Sequence, residues 1–173
     1  MGNSAPAGSG RLRMTTLVDR HEERAAIGRL GRYPEVLRAI ESNGDFSDPT
    51  ISTWVLPELV EAAVRVGDSE LALDALARLV TETEPFGTGF ARGIEARCRA
   101  LLAEGTVAAE LYTEAIEKLG RTGLRPELAR AHLLYGEWLR RERRGVDARD
   151  HLRRTTCSSR SGWRRSPGAR GRR

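Results

Sequence analysis

The feature that most constrains the fold is a series of short amphipathic segments separated by glycine-containing breaks. In "SELALDALARLVTET", apolar residues recur at steps of three and four, which places them on one face of a helix. The pattern is interrupted at Asn43-Gly44, at Gly67, in the "EPFGTG" stretch and at Gly105, and "SDPTIS" is typical of a linker. Asp68 or Ser69 is positioned to cap the helix that follows Gly67. No stretch alternates as a strand does, and β-branched residues are sparse. The sequence predicts an all-α protein.

Small residues recur along these segments in a way that favours paired helices. Three alanines in predicted second helices are each followed four residues later by leucine, and each is preceded by a small residue twelve positions earlier. The three sets are Ala63, Ala75 and Leu79; Ala103, Ala115 and Leu119; and Gly136, Ala148 and Leu152, with Ala39 in an incomplete first pair. Small residues let two helices approach closely. The pattern therefore predicts tetratricopeptide-like antiparallel helix-pair repeats, an α-solenoid, in preference to a general helical bundle.

The charge of the chain is divided between two regions of opposite sign. The formal net charge is +5, but residues 1–152 carry −3 and residues 153–173 carry +8, all from arginine. The basic balance thus belongs to the C-terminal tail alone. We expect a disordered N-terminus over 1–17, a helical repeat domain over 18–152 and a disordered, Arg-rich tail over 153–173.

Motifs that carry chemistry are few. "FGTGF" lacks the lysine of a phosphate loop, and a turn between helices explains it. The histidines His21, His132 and His151 are far apart and have no zinc-site spacing. Glu58 and Glu61 lie one turn apart, and a solvated helix face is the expected reason.

The remaining candidates also have structural interpretations. Cys98 is expected to be a buried apolar residue, and with Cys157 it forms no disulfide framework or metal spacing. The arginines after Trp138 sit near a predicted helix C-terminus, where cations are favourable; they are Arg140, Arg141, Arg143 and Arg144. We therefore expect no catalytic, cofactor-binding or metal-binding residue, and no enzymatic activity.

Nothing in the chain predicts a membrane or export segment. No apolar run approaches the roughly 20 residues that a spanning helix needs. The start "MGNSAPAGSGRLRM" has no signal-peptide core. The expectation is a cytoplasmic protein without membrane association.

The stretch "ELARAHLLYGEWLRRERRGVDARDHLR" resembles the helical region of large LuxR-family transcriptional regulators of actinobacteria. The segments "GRLGRYPEVLRAI", "STWVLPELVEAAVRVGDSELALDALARL", "IEARCRALL" and "LYTEAIEKLGRT" are similar to earlier parts of that region. The resemblance covers roughly residues 25–152. It implies tetratricopeptide-like helices that sense a protein or small-molecule signal, between an ATPase module and a DNA-binding helix-turn-helix domain.

Neither of those flanking domains maps onto this chain, so the expectation is a fragment of a LuxR-type regulator to which no functional residue transfers. DNA binding is then not expected of the fragment alone. Exposed apolar surface at its last repeat would favour self-association. The alternative is a small nucleic-acid-binding protein that uses the basic tail, with salt-sensitive and sequence-blind affinity.

The tail itself has a further interpretation. The codons of "TTCSSRSGWRRSPGARGRR", read in a shifted frame, permit an amphipathic helix of the kind found at this place in the family. This predicts a frameshift near residues 152–156, in the gene or in its sequencing. The gene's nucleotide sequence tests the idea.

Overall fold

The computed structural model describes residues 32–42, 49–85 and 87–160, and within these ranges the regular structure is entirely α-helical. The predicted all-α class is confirmed for this part of the chain. The helices, numbered in chain order, are α1 (Tyr33–Ser42), α2 (Pro49–Val66), α3 (Ser69–Thr83), α4 (Gly89–Leu102), α5 (Gly105–Gly120), α6 (Arg125–Arg141) and α7 (Gly145–Arg160).

The chain divides into two compact units, with the division after Gly87. In the first unit α1 packs against α2, and α2 packs against α3. Its core is aliphatic and is formed by Val36, Ile40, Leu56, Val60, Ala63, Ala72, Ala75 and Leu79. Because these side chains sit at helical spacing, each helix buries the face that the sequence pattern marks.

The turn between α2 and α3 shows how the sequence ends one helix and begins the next. Gly67 has φ +83°, a left-handed conformation that glycine adopts without strain. Asp68 follows as the N-cap of α3, and its carboxylate accepts a hydrogen bond of 3.0 Å from the backbone N–H of Leu71. The predicted cap is therefore confirmed, with Asp68 in that role.

In the second unit α4 packs against α5, α5 against α6 and α6 against α7, while α4 also contacts α6. The core around α5 and α6 is partly aromatic: Tyr112 stacks on Tyr135 with ring centroids 5.1 Å apart, and Tyr135 stacks on Trp138 at 5.9 Å. Arg97 on α4 forms a buried ion pair of 2.6 Å with Glu127 on α6. This pair ties the first and third helices of the unit together.

Small residues set the distance between helices at two places in this unit. A β-carbon on Gly136 of α6 would lie 2.8 Å from Cγ of Leu152 on α7, and one on Gly93 of α4 would lie 2.8 Å from Cγ of Leu119 on α5. Carbon atoms do not pack at that distance. The leucines therefore occupy space that only glycine leaves open.

The repeat predicted from the sequence stays a prediction, although the structure places several of its residues. Its second-helix alanines Ala75, Ala115 and Ala148 are all buried. The small residue Ala103, however, is not a first-helix contact, because it is the extended C-cap of α4 with φ −94° and ψ 162°. Gly93, ten residues earlier, is the residue that faces Leu119, and it lies in the first half of α4, away from the turn into α5.

Two predicted boundaries differ from the structure. The "SDPTIS" linker is shorter than expected, because α2 already begins at Pro49, and proline is compatible with a first helical turn. The domain end at residue 152 falls inside α7, which continues to Arg160 across the start of the predicted 153–173 tail. No glycine or proline interrupts the sequence between Gly145 and Gly162, so nothing local stops the helix. The 1–17 boundary lies outside the described residues, as does the start of the predicted 18–152 domain.

Candidate functional site

A cleft of about 340 Å³ lies beside the hairpin of α6 and α7. α6 contributes His132, Tyr135 and Leu139, and α5 contributes the apolar Ile116. The connecting turn and α7 supply the polar side chains Arg144, Asp147, Asp150, His151 and Arg154. The cleft therefore has an aromatic and aliphatic side and a charged side.

Two histidines that are distant in sequence meet in this cleft. The Nδ1 atoms of His132 and His151 are 2.9 Å apart, a hydrogen-bond distance, and their ring centroids are 5.1 Å apart. The ring of Tyr135 meets that of His151 edge-on at 4.5 Å. His132 is buried and His151 is partly buried. We call His132 and His151 the histidine pair.

The pair forms because α6 and α7 run antiparallel, so that His132 and His151 lie next to each other across the hairpin. His132 lies one turn before Gly136 on α6, and His151 lies three residues after Ala148 on α7. Gly136 lets α7 approach to the point where the backbone oxygen of Ala148 would lie 3.3 Å from an added β-carbon. The same close approach that accommodates Leu152 thus brings the two rings within hydrogen-bonding distance.

The surroundings keep both rings neutral at pH 7. Burial lowers the pKa of His132 from its ordinary 6.5 to about 4, and the charges of His151 and Arg154 act in the same direction. Burial also lowers the pKa of His151, as does Arg154, while Asp147 and Asp150 oppose the shift. Each neutral imidazole carries one N–H donor and one acceptor nitrogen, so one ring can donate to the other.

Two of the charged side chains that line the cleft already pair with each other. Arg144 forms an ion pair of 2.7 Å with Asp147, across three residues at the start of α7. Both side chains are about half exposed, so the pair adds little stability.

The carboxylates that line the cleft are not placed to form a metal centre with the histidine pair. Within 32–42, 49–85 and 87–160, no group of three His, Cys, Asp or Glu side chains is placed to hold a metal ion. His21 lies outside these ranges. What the pair can do with its own atoms is bind and release protons.

Other residues considered from sequence are placed as follows. Cys98 is fully buried, as expected, and Gly87 in the "FGTGF" stretch has φ +50° in the turn before α4. Arg140 and Arg141 lie in the last turn of α6, as the helix-terminus interpretation predicts. The side chain of Cys157 lies outside the described residues.

The solvated-face interpretation of Glu58 and Glu61 is wrong for Glu61. That residue is only 6% exposed, and its carboxylate accepts a hydrogen bond of 3.4 Å from the Tyr33 hydroxyl. Tyr33 at the start of α1 covers this part of α2, and the guanidinium of Arg65 lies 5.6 Å from the centre of the Tyr33 ring. The carboxylate serves the contact between α1 and α2.

Sequence reasoning missed the histidine pair because it compared the three histidines only by their spacing. The signal was present in the predicted contact between Gly136 and Ala148, since that register also brings His132 opposite His151. A hairpin register, once assigned, predicts contacts that no linear motif shows.

The fold and the cleft describe a protein of paired α-helices in which the histidine pair, between α6 and α7, is a contact that can gain or lose protons. Comparisons with protein-family models, with curated proteins and with solved structures give no match for this chain. Among the described helices, none combines the length and the apolar character needed to cross a membrane.

Proposed function

We propose that this chain is a non-enzymatic interaction module of the kind found in the helical region of LuxR-type transcriptional regulators, with a protein or small-molecule signal as its partner. The observation that supports this best is the glycine-mediated packing of successive helices, Gly93 against Leu119 and Gly136 against Leu152. Close packing of consecutive antiparallel helices through small residues is the design of tetratricopeptide-like scaffolds. Cytoplasmic localisation belongs to the same proposal.

The packing of α6 and α7 strengthens the family part of the proposal. These helices cover the stretch that most resembles the LuxR-type region. Gly136 and Ala148 keep their twelve-residue spacing there, and Leu152 sits against Gly136 as the repeat pattern requires. The hairpin with the most specific resemblance is thus also the one with the expected packing.

The cleft beside this hairpin gives the module a place for a small partner. Its volume of about 340 Å³ is at the lower end of the range for small-molecule sites. Its lining includes apolar Ile116 and Leu139 together with charged Asp150 and Arg154. A ligand with one apolar side and one polar side would fit this lining.

The gene's nucleotide sequence is the test of the family assignment. The proposal expects the shifted frame from about codon 153 onward to encode an amphipathic helix, followed by a helix-turn-helix domain. A shifted frame that closes at once in stop codons, or that encodes no such domain, would contradict it. In the written frame α7 runs on without interruption to Arg160, so the helix boundary does not decide the question.

A further inference from the structure

The contact within the histidine pair depends on how many protons it holds. With both rings neutral, one Nδ1 carries a hydrogen and the other Nδ1 accepts it, over 2.9 Å. One additional proton can enter at Nε2 of the donating ring and leave this bond intact. A second must go to the accepting Nδ1, and then two N–H groups face each other at a distance where neither can accept.

The second proton also creates a charge conflict. Two positive rings with centroids 5.1 Å apart repel each other in a site that is partly shielded from water. The hydrogen bond between α6 and α7 is then replaced by repulsion between the same two side chains.

The neighbouring groups do not remove this conflict. On α7, Asp147 and Asp150 favour a charged His151, and Arg154 opposes it. Asp147 is already paired with Arg144 from the connecting turn. The other elements bring Tyr135 and Leu139 from α6 and Ile116 from α5, and none of these is a carboxylate.

We propose that the histidine pair is a proton-sensitive contact that holds α7 against α6 at neutral pH and releases α7 on acidification. The inference rests on the hydrogen bond between the two rings, their burial and their place on opposite helices of one hairpin. It does not depend on the LuxR resemblance.

The direction of the pH dependence follows from the lowered pKa values. In the unfolded chain both histidines titrate near 6.5, whereas in the folded chain the pKa of His132 is about 4. The unfolded chain therefore binds protons first as the pH falls. The stability contributed by neutral histidines is fully present above pH 6.5 and is lost progressively as the pH falls towards 4.

The test compares urea unfolding of the wild type with that of the double variant His132→Gln/His151→Gln between pH 7 and pH 5. From His132 alone, the wild-type folding equilibrium constant should fall about 20-fold more than that of the variant. Carboxylates that begin to titrate near pH 5 are common to both proteins and cancel. Equal pH dependence in the two proteins would overturn the proposal.

Hydrogen exchange locates the effect within the molecule. At pH 5, after correction for intrinsic rates, amides of α7 should lose protection relative to pH 7, while those of α2 and α3 keep it. A uniform loss over all three helices would overturn local release of α7.

Nitrogen NMR titration of the wild-type histidines covers the case in which the double variant does not fold. The expected result is two coupled titrations for His132 and His151, both below 6.5. Independent titrations near 6.5 would refute the proposal without any substitution.

Discussion

Leu152 of α7 fills the position that a β-carbon on Gly136 of α6 would take, with Cγ 2.8 Å and Cδ2 2.9 Å from that point. Gly136→Ala should therefore destabilise the protein, although alanine normally stabilises a helix relative to glycine. Overpacking of this kind costs about 1–3 kcal/mol, which exceeds the gain in helix propensity of about 1 kcal/mol. Urea unfolding monitored by circular dichroism measures the difference.

Gly120→Ala is the matched control for that substitution. Gly120 is also helical, at the end of α5, but an added β-carbon there has no atom within 4 Å. Its replacement should leave the free energy of unfolding unchanged or raise it by up to about 1 kcal/mol. If both alanine variants gain stability, the close contact at Gly136 is not the constraint that the structure indicates.

The clash at Gly136 should be relieved by shortening its partner. In Gly136→Ala/Leu152→Ala, the new methyl group occupies space that the leucine has vacated, so the double variant should be more stable than the sum of the single effects implies. Contacting residues commonly couple by about 0.5–3 kcal/mol. A double-mutant cycle gives the coupling energy, and a value near zero would contradict the direct contact.

The ion pair between Arg97 and Glu127 should be costly to break. Arg97 and Glu127 side chains are 7% and 16% exposed, and Arg97 Nη1 lies 2.6 Å from Glu127 Oε2 and 3.4 Å from the Glu127 carbonyl. Glu127→Gln removes the carboxylate charge beside a buried guanidinium, and we expect a loss of about 3 kcal/mol.

An exposed pair of the same residue types provides the comparison for Glu127→Gln. Glu117 on α5 and Arg121, the residue after that helix, are 2.5 Å apart but 58% and 74% exposed, so Glu117→Gln should cost at most about 0.5 kcal/mol. Thermal unfolding of both variants in low and high salt distinguishes them. Similar losses for the two would argue against a buried ion pair between α4 and α6.

Asp68→Ala should destabilise α3 by about 1 kcal/mol, because the backbone N–H of Leu71 loses its acceptor. Glu104 offers the control, since it is the N-cap of α5 and its side chain makes no capping bond. Glu104→Ala should change stability by a few tenths of a kcal/mol at most, whereas Glu104→Asp can add a cap. Equal losses at the two caps would show that the capping bond is not what stabilises α3.

Any DNA binding by this chain should come from the arginines beyond α7. A truncation after Arg160 keeps the whole α6–α7 hairpin and removes five arginines. Any binding by the full chain should be weak and sequence-independent, with a salt slope no steeper than about −4.5 from five arginines, and the truncated chain should show none. Fluorescence anisotropy with two unrelated duplexes at several salt concentrations measures this. Sequence preference, or binding retained after truncation, would contradict the expectation.

Much of the fold follows from the sequence because helix ends and buried faces are local properties. Asp68 caps α3, and Ala75, Ala115 and Ala148 are buried, as periodicity and turn chemistry predict. Contacts that depend on how two helices align against each other were harder to predict from the sequence. Gly93 in place of Ala103 is such a case, because a fixed twelve-residue spacing assumes that every pair meets at the same distance from its turn.

The candidate site was the least predictable part for the same reason. His132 and His151 belong to no sequence motif, and the residues that flank each of them do not mark it as part of a site. Their lowered pKa values arise from burial that only the assembled hairpin creates. Glu61 was misassigned because the covering residue, Tyr33, comes from another helix.

The ion pair between Arg97 and Glu127 joins α4 directly to α6, two helices that are separated by α5 in the sequence. In arrays where each element contacts only the next one, opening can begin at an end and proceed helix by helix. An ion pair between α4 and α6 opposes helix-by-helix opening, because neither helix can separate from the unit while the ion pair is intact. Helices α4, α5 and α6 should thus open as one cooperative block, whereas α7, which among the described helices packs only against α6, can open separately.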